Sequence, residues 1–433
     1  MTATTPTDAG STSTPPQQTW LDSELHRTWL TGHAHDLLAF GRAVESDAGG
    51  AGWLGDDGVV DTTQPVFTWI TCRMVHVYGL GHLMGVPGSA RRAQAALDAL
   101  RGRLHDDQHG GWFASIAADG TVDDSKSAYA HAFVVLAAST GAAAGLDGAD
   151  ELLVDALAVL DERFFDARSG LHVDEWDASW TTLDPYRGVN ANMHSVEALL
   201  AAGDVTGDRR WTQRALGIAR YVACDWAPLH DWRIPEHFDE AWVPLLDLNA
   251  DSPDDPFKPF GATVGHGIEW SRLLLHLHAA LDADAPGWIV PAARALYARA
   301  IEDGWRASSA GVHGFVYTTD WAGAPVVETR MHWVAAEAIG AAAALFRATG
   351  EESYARDYAR WWDHADGAFI DPVHGSWHHE LDATNTPSAA VWPGKPDLYH
   401  AFQATLVPQA PLAPSLATAL RAGLIPLRPA RHA

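Results

Sequence analysis

The stretch Met331-His332-Trp333-Val334-Ala335-Ala336-Glu337-Ala338-Ile339-Gly340-Ala341-Ala342-Ala343-Ala344-Leu345-Phe346 decides the fold. It reads as a helix, but one with no polar face. A helix that is apolar or small all round must be buried on every side. Ser127 to Ala144 and Asn192 to Ala202 have the same character. Helices of a second kind alternate with them. Ser89 to His105 carries Arg91, Arg92, Asp98, Arg101 and Arg103 among its charges. Glu351 to His364 places Tyr354, Tyr358, Trp361 and Trp362 at i, i+4, i+7 and i+8, a single apolar stripe. Asp208 to Trp226 and Pro291 to Trp305 read the same way. Gly207 and Gly350 stand before two of these, where a left-handed turn can end the preceding helix.

Each buried helix carries a histidine near its start: His76, His131, His194, His266, His332 and His400. Successive histidines are 55 to 72 residues apart. The connections into the buried helices also repeat, as a glycine followed by an aromatic strand-like run. Gly52-Trp53-Leu54, Gly111-Trp112-Phe113, Gly170-Leu171-His172-Val173, Gly314-Phe315-Val316-Tyr317 and Gly375-Ser376-Trp377-His378 show it. Ile234-Pro235-Glu236-His237-Phe238 is the weakest match, and Asp119-Gly120 is a good hairpin turn. Self-similarity at so long a period marks a solenoid or a closed ring. Six outer–inner helix pairs predict an all-α fold, an (α/α)6 barrel, with short β-hairpins gathered at the end where the inner helices begin. Twenty tryptophans, many in these loops, would wall a pocket suited to sugars.

The bulk properties bound the function. A chain of 433 residues without an internal low-complexity linker is expected to form one domain over 19–420. Residues 1–18, rich in Thr, Ser, Pro and Gln, are expected to be disordered, and 421–433 loosely held. A net charge of −26 argues against nucleic acid or an anionic membrane as partner. No apolar run is long enough for a membrane span, and no signal-peptide pattern is evident. Two cysteines, Cys72 and Cys224, make no disulfide framework and fit a reducing cytoplasm.

Several polar residues stand out against the apolar inner helices. His194 and Glu197, His266 and Glu269, and His400 and Gln403 are each three apart, on one helical face. An acid beside a histidine can fix its tautomer and raise its basicity. The bland reading is a satisfied core histidine, and His76 and His131 fit it best. Paired His-x-x-Glu motifs also admit a metal, as do the clusters His33/His35 and His374/His378/His379. No Cys or Asp completes a standard ligand spacing, so no metal site is expected. Asp251 to Asp255, interrupted by Pro253, reads as a solvated turn. Arg73 lies among Ile70, Met74 and Val75, and a buried arginine needs a partner. Either a structural ion pair, for instance with Glu337, or a ligand clamp would serve. Cys72 reads as packing.

Five motifs in order resemble the N-acylglucosamine 2-epimerase family. They are Thr71-Cys72-Arg73-Met74-Val75-His76, Asn190-Ala191-Asn192-Met193-His194-Ser195-Val196-Glu197, Gly265-His266-Gly267-Ile268-Glu269-Trp270, Met331 to Glu337, and Trp392-Pro393-Gly394-Lys395-Pro396-Asp397-Leu398-Tyr399-His400-Ala401-Phe402-Gln403. Gly375 to Trp377 and Glu380 to Asp382 also fit, and the likeness runs from about Val66 to Pro408. The last motif resembles the branch of D-mannose and sulfoquinovose isomerases. The resemblance implies an (α/α)6 barrel and cofactor-independent sugar isomerisation or epimerisation through a cis-enediol(ate). D-mannose and D-fructose are the expected pair, with D-lyxose and D-xylulose as further candidates. It also implies roles: His400 as the base moving a proton between C2 and C1, and His266 as acid–base at ring opening and the carbonyl oxygen, oriented by Glu269. Arg73, Asn190, His194, Trp333 and Glu337 would hold hydroxyls and the enediolate, while Tyr129 and Trp392 would line the pocket. A sulfonate would need a cationic cradle, for which Arg73 and Arg233 are candidates. His379, where the sulfoquinovose branch implies an amide, favours a neutral hexose. Other readings are a sugar 2-epimerase and a glycoside hydrolase using Glu269 and Glu337 as its carboxylate pair. The only partner expected is a small monosaccharide, with the chain a monomer or homodimer.

Overall fold

Helices without a polar face can be covered only by one another and by a second layer, and that is how the chain is arranged. A computed structural model describes residues 19–426. The inner helices, numbered in chain order with the rest, are α2 (Thr68–Leu83), α4 (Ala128–Ala144), α6 (Val189–Thr206), α8 (Val264–Leu281), α10 (His332–Thr349) and α12 (Tyr399–Leu406). The outer ones are α1 (Glu24–Phe40), α3 (Ser89–Leu100), α5 (Ala149–Val159), α7 (Arg209–Arg220), α9 (Ile289–Gly304) and α11 (Glu352–His364). Each inner helix touches the next, and α12 touches α2, which closes the ring. Each outer helix backs an inner one, with α1 completing the set against α12. This is the expected (α/α)6 barrel.

The boundaries have local causes. Gly207 and Gly350 end α6 and α10 at φ of 71° in both cases, the left-handed turn a glycine adopts without strain. Ser127 caps α4 by accepting from Ala130 N. The outer helices are shorter than their charge pattern suggests: three of them widen into π-helical turns at Leu160–Phe164, Tyr221–Trp226 and Ala365–Phe369. The sixth inner helix is the shortest, because the chain passes at Val407 into a 3-10 turn containing Pro408.

A two-residue strand leads directly into each of the first five inner helices. Each pairs antiparallel with a strand of the next repeat: Val66 with Ile116, Lys126 with Trp176, Arg187 with Phe238, Ala262 with Thr319, and Arg330 with Leu381. The hairpins therefore stitch the repeats together at the end where the inner helices start. Asp119-Gly120 turns one of them, with Gly120 at φ of 88°. The fourth repeat, the poorest match in sequence, keeps the pattern through His237–Phe238.

The opposite end is closed by α13 (Leu416–Arg421), packed on α2, α4 and α6. Of the segment expected to be loose, residues 421–426 are described and Ile425 is buried in the core. The tail 1–18 and residues 427–433 lie outside the described residues. Among the described residues, no helix is long and apolar enough to cross a membrane.

Candidate active site

Two layers of side chains ring the open end. The second residue of each inner helix makes the rim: Trp69, Tyr129, Asn190, Gly265, Trp333 and His400. One turn deeper, the sixth residue gives Arg73, Phe133, His194, Glu269, Glu337 and Ala404. Residues at i and i+4 share a helical face, so both layers point at the same axis. The six recurring histidines do not follow this rule. His76 is the ninth residue of its helix, His131 the fourth, His194 the sixth, His266 the third, His332 the first and His400 the second. The helices are equivalent around the ring; the histidines are not.

His400 and His266 flank one indole. Trp333 lies 5.8 Å from the His400 ring and 5.4 Å from the His266 ring, centroid to centroid. Each imidazole has a carboxylate on Nδ1. His400 Nδ1 is 3.0 Å from Glu337 Oε1, and His266 Nδ1 is 2.9 Å from Glu236 Oε1. Burial tends to raise the Glu337 carboxyl, but Arg272 and the His400 hydrogen bond outweigh it and hold it at about 2. Glu337 is therefore an acceptor at neutral pH, and Nδ1 of His400 must be the donor. Nε2 of His400 keeps its lone pair. Burial also pushes the imidazole below its ordinary value, against the pull of Glu337. A neutral imidazole with a bare Nε2 is what a proton acceptor requires.

Glu269 does not orient His266. It lies under the rim, 3.4 Å from Arg272 Nη2, and the partner of His266 is Glu236 from the loop before α8. Burial and the neighbouring Glu337 push the Glu269 carboxyl well above its usual range. Arg272 Nε is 2.6 Å from Glu337 Oε2, so the two carboxyls expected to face each other across a cleft share one guanidinium. That is no hydrolase pair, which must flank a glycosidic bond from two sides.

Arg73 pairs with Asp397, Nη1 to Oδ2 at 2.9 Å, rather than with Glu337. Nη2 donates to the Tyr129 hydroxyl at 3.0 Å. Trp69 and Phe133 each lie 4.7 Å from the guanidinium and Tyr399 4.9 Å. Burial alone would raise Asp397; Arg73, His379 and His400 together hold it down. The pair is closed inside an aromatic box, where removing either partner strands a charge. The Arg73 Nε donor and the Asn190 Oδ1 acceptor, both at the open end, have no protein partner.

His194 stands 5.1 Å from the Tyr129 ring, and its Nδ1 is 3.7 Å from Glu197, too far for a hydrogen bond. Glu197 is held by the hydroxyl of Tyr399 and by Gln403 Nε2. His194, Glu197 and Glu269 form the one group among the described residues whose geometry would admit a metal ion. The other clusters disperse. His33 accepts from the Trp377 indole, and His379 bonds the Asp397 carbonyl while stacking on His332 at 3.7 Å. His131 and His76 are structural: His131 accepts from Trp112 N, and His76 bonds Thr140. Cys72 is buried, which raises its thiol well above its ordinary value.

Trp392 sits at the rim between Trp53 and Phe257, at 6.1 and 5.7 Å. Glu380 fixes it there by accepting from the backbone N–H groups of Ala390, Val391 and Trp392. A shallow cleft lies at the other end, beneath Pro414–Ala417. It reaches Glu197 and Arg272 from behind but neither His266 nor His400, so we place the chemistry at the rim.

Two imidazoles, each backed by a carboxylate, stand around an aromatic wall on a helical ring, the arrangement of an (α/α)6 barrel suited to acid–base chemistry. The chain belongs to the N-acylglucosamine 2-epimerase family, whose model, N-acylglucosamine 2-epimerase (GlcNAc 2-epimerase), matches residues 49–404. A D-mannose isomerase of Thermobifida fusca is 50% identical over 403 residues, 93% of this chain and 98% of that one. A D-mannose isomerase of Pseudomonas cannabina pv. alisalensis is 45% identical over 408 residues, covering 94% and 97%. A crystal structure of a D-mannose isomerase superposes with a TM-score of 0.83 at 28% identity, covering 92% of this chain and 99% of that one.

Proposed function

We propose that the chain is a cofactor-independent aldose–ketose isomerase that interconverts D-mannose and D-fructose. The observation that carries the chemistry is the His400–Glu337 pair, which leaves Nε2 of His400 bare beside Trp333 and His266. The identity to proteins named D-mannose isomerase carries the choice of sugar.

In this reading His266 assists ring opening and hydrogen-bonds the carbonyl oxygen O1. Nε2 of His400 takes the proton from C2. The C–H electron pair becomes the C1=C2 bond of a cis-enediol, and O1 takes a proton from His266. The O2 proton then returns to His266, and His400 delivers its proton to C1, giving the ketose. Arg73 and Asn190 offer an unpaired donor and an unpaired acceptor to the sugar hydroxyls, and Tyr129, Trp333 and Trp392 offer ring faces. Both arginines considered for a sulfonate are already paired, Arg73 with Asp397 and Arg233 with Asp303, which supports a neutral hexose. The two unpaired cysteines support a cytoplasmic setting.

Incubation with D-mannose in D2O, followed by NMR, tests this. Fructose carrying deuterium at C1 is the expected product. Glucose in its place would make the enzyme a 2-epimerase.

A further inference from the structure

The established chemistry of a general base does not explain why a fully buried arginine lies one layer below it. Arg272 comes from the second turn and a half of α8, inside the apolar run Trp270 to Leu277. It is 3% exposed, and a cation at that depth must be compensated. Its fork is divided between two acids, Glu337 on α10 through Nε at 2.6 Å and Glu269 on α8 through Nη2 at 3.4 Å. Gly340 clears its path: a Cβ there would stand 3.1 Å from the arginine Cδ. The other oxygen of Glu337 is the one that holds His400 Nδ1, at 3.0 Å. One carboxylate thus bridges the arginine and the base.

We propose that Arg272 is a positioning residue for the base: through Glu337 it fixes His400 in the tautomer with Nδ1 protonated and Nε2 bare. The inference rests on the reading of His400 as the base. The charged and titratable groups that face the guanidinium are Glu197 from α6, Glu269 and His276 from α8, Glu337 from α10, His76 from α2 and Tyr399 from α12, with His400 from α12 beyond Glu337. Glu197 and Glu337 are held below the usual carboxylate range, and Glu269 is pushed well above it. The contact order explains the division. Glu337 has the shorter bond to the cation, and Glu269 the longer. Without the cation, the burial of Glu337 is far less offset and favours a proton on its carboxyl. A protonated Glu337 donates to Nδ1 of His400 instead of accepting from it. The ring proton then sits on Nε2, where it faces the sugar and the base is blocked. Arg272 touches neither the sugar nor the reacting atoms, so its loss falls on kcat rather than on KM.

The test compares Arg272→Gln, which keeps a donor but no charge, with Arg272→Lys, which keeps the charge. Histidine-selective 15N labelling, with the His400 signal assigned by its loss in His400→Gln, reads the tautomer without any sugar. Wild type and Arg272→Lys should show a protonated Nδ1. Arg272→Gln should show a protonated Nε2, with kcat down at least 100-fold and KM within threefold. Should Arg272→Gln fail to fold, the double variant Arg272→Gln/Glu269→Gln, which removes one acid with the cation, is read in its place. A protonated Nδ1 retained in the uncharged variant, or kcat within threefold of wild type, overturns the proposal. So does an Arg272→Lys enzyme as impaired as Arg272→Gln at an unchanged melting temperature. Because the spectrum needs no turnover, a wild type inactive on mannose would refute the proposed substrate and leave the tautomer result standing.

Discussion

Gly265→Ala should disable the enzyme through a single methyl group. Gly265 is the second residue of α8, the one rim position without a side chain. The space its Cβ would take belongs to Trp333 from the neighbouring helix. The added carbon would stand 2.2 Å from Cζ3 and 2.3 Å from Cη2 of the indole, and 2.9 Å from Val334 Cγ2. Reaching ordinary contact requires the ring to retreat by about an ångström. Trp333 is the wall between His266 and His400, so both imidazoles lose their spacer. Misplacement of about 1 Å at a reacting centre can cost ~100-fold, or about 2.7 kcal/mol of transition-state stabilisation. Overpacking should lower stability by about 1–3 kcal/mol. The assay is kcat/KM for mannose to fructose, with urea denaturation alongside. The double variant Gly265→Ala/Trp333→Phe removes the outer ring of the indole, and should recover the stability but not the activity. A Gly265→Ala enzyme with kcat/KM within threefold of wild type would show that Trp333 does not space the two histidines.

Glu236→Ala should lower kcat by about 10- to 100-fold, since it leaves His266 Nδ1 without its charged partner, a bond of about 1.5–3 kcal/mol; a steady-state comparison with Glu269→Gln separates the true partner of His266 from the one its sequence spacing suggests. Asp397→Asn should destabilise the fold by about 3–5 kcal/mol by stranding Arg73, read as a shift in denaturant midpoint at constant m-value. His131→Gln should cost about 1–3 kcal/mol of stability through the Trp112 N–H and leave kcat unchanged, whereas His400→Gln should abolish turnover and leave the melting temperature near that of wild type. Acid stability should fall early. Burial lowers His76 and His276 to about 4 and His131 and His172 to about 3, below the ~6.5 of an unfolded chain. These groups are neutral in the fold and bind protons on unfolding, so stability is full above pH ~6.5 and drops below it by about 1.4 kcal/mol per pH unit per histidine. Glu337, held at about 2, adds a further loss as pH falls from ~4.5 towards 2. Urea midpoints equal at pH 7 and pH 5 would contradict this.

The barrel was legible because its causes are periodic. An alanine-rich run with no polar face, as in α10, has no solution but burial, and the glycines after α6 and α10 mark their own helix ends. Asn190, Gly265, Trp333 and His400 of the rim lay in the quoted motifs, whereas Tyr129 lay outside them and Trp69 was not singled out. The pairings were not legible, since a pairing depends on which helices meet and sequence spacing reports only neighbours on one helix. The i+3 rule therefore offered Glu269 to His266, while the actual partner, Glu236, comes from an irregular loop in the repeat least like the others. Arg73 finds Asp397 across 324 residues of chain. Arg272 carried a readable signal, an arginine inside a leucine-rich helix, which by the argument applied to Arg73 demanded an acid. The histidine recurrence pointed to a six-part ring through a register the helices do not share. The periodicity it reported belongs to the helices, whose starts the histidines only roughly mark.

The ring is closed by segments from the two ends of the sequence. Arg73 meets Asp397, Trp53 donates to the Pro393 carbonyl, His33 receives the Trp377 indole, and Lys395 N–H donates to Leu54 O. During synthesis this makes the seam the final event. An arginine set in an apolar wall waits for its acid until 324 further residues have been made, and His400 arrives just after that acid. A shortened polypeptide is thus both inactive and left with an exposed strip of inner helix, a surface for chaperones and for aggregation. Joining the ends and reopening the chain in a connection at the closed face, for instance between α6 and α7, would leave every neighbour around the ring in place and would move the seam to another pair of repeats.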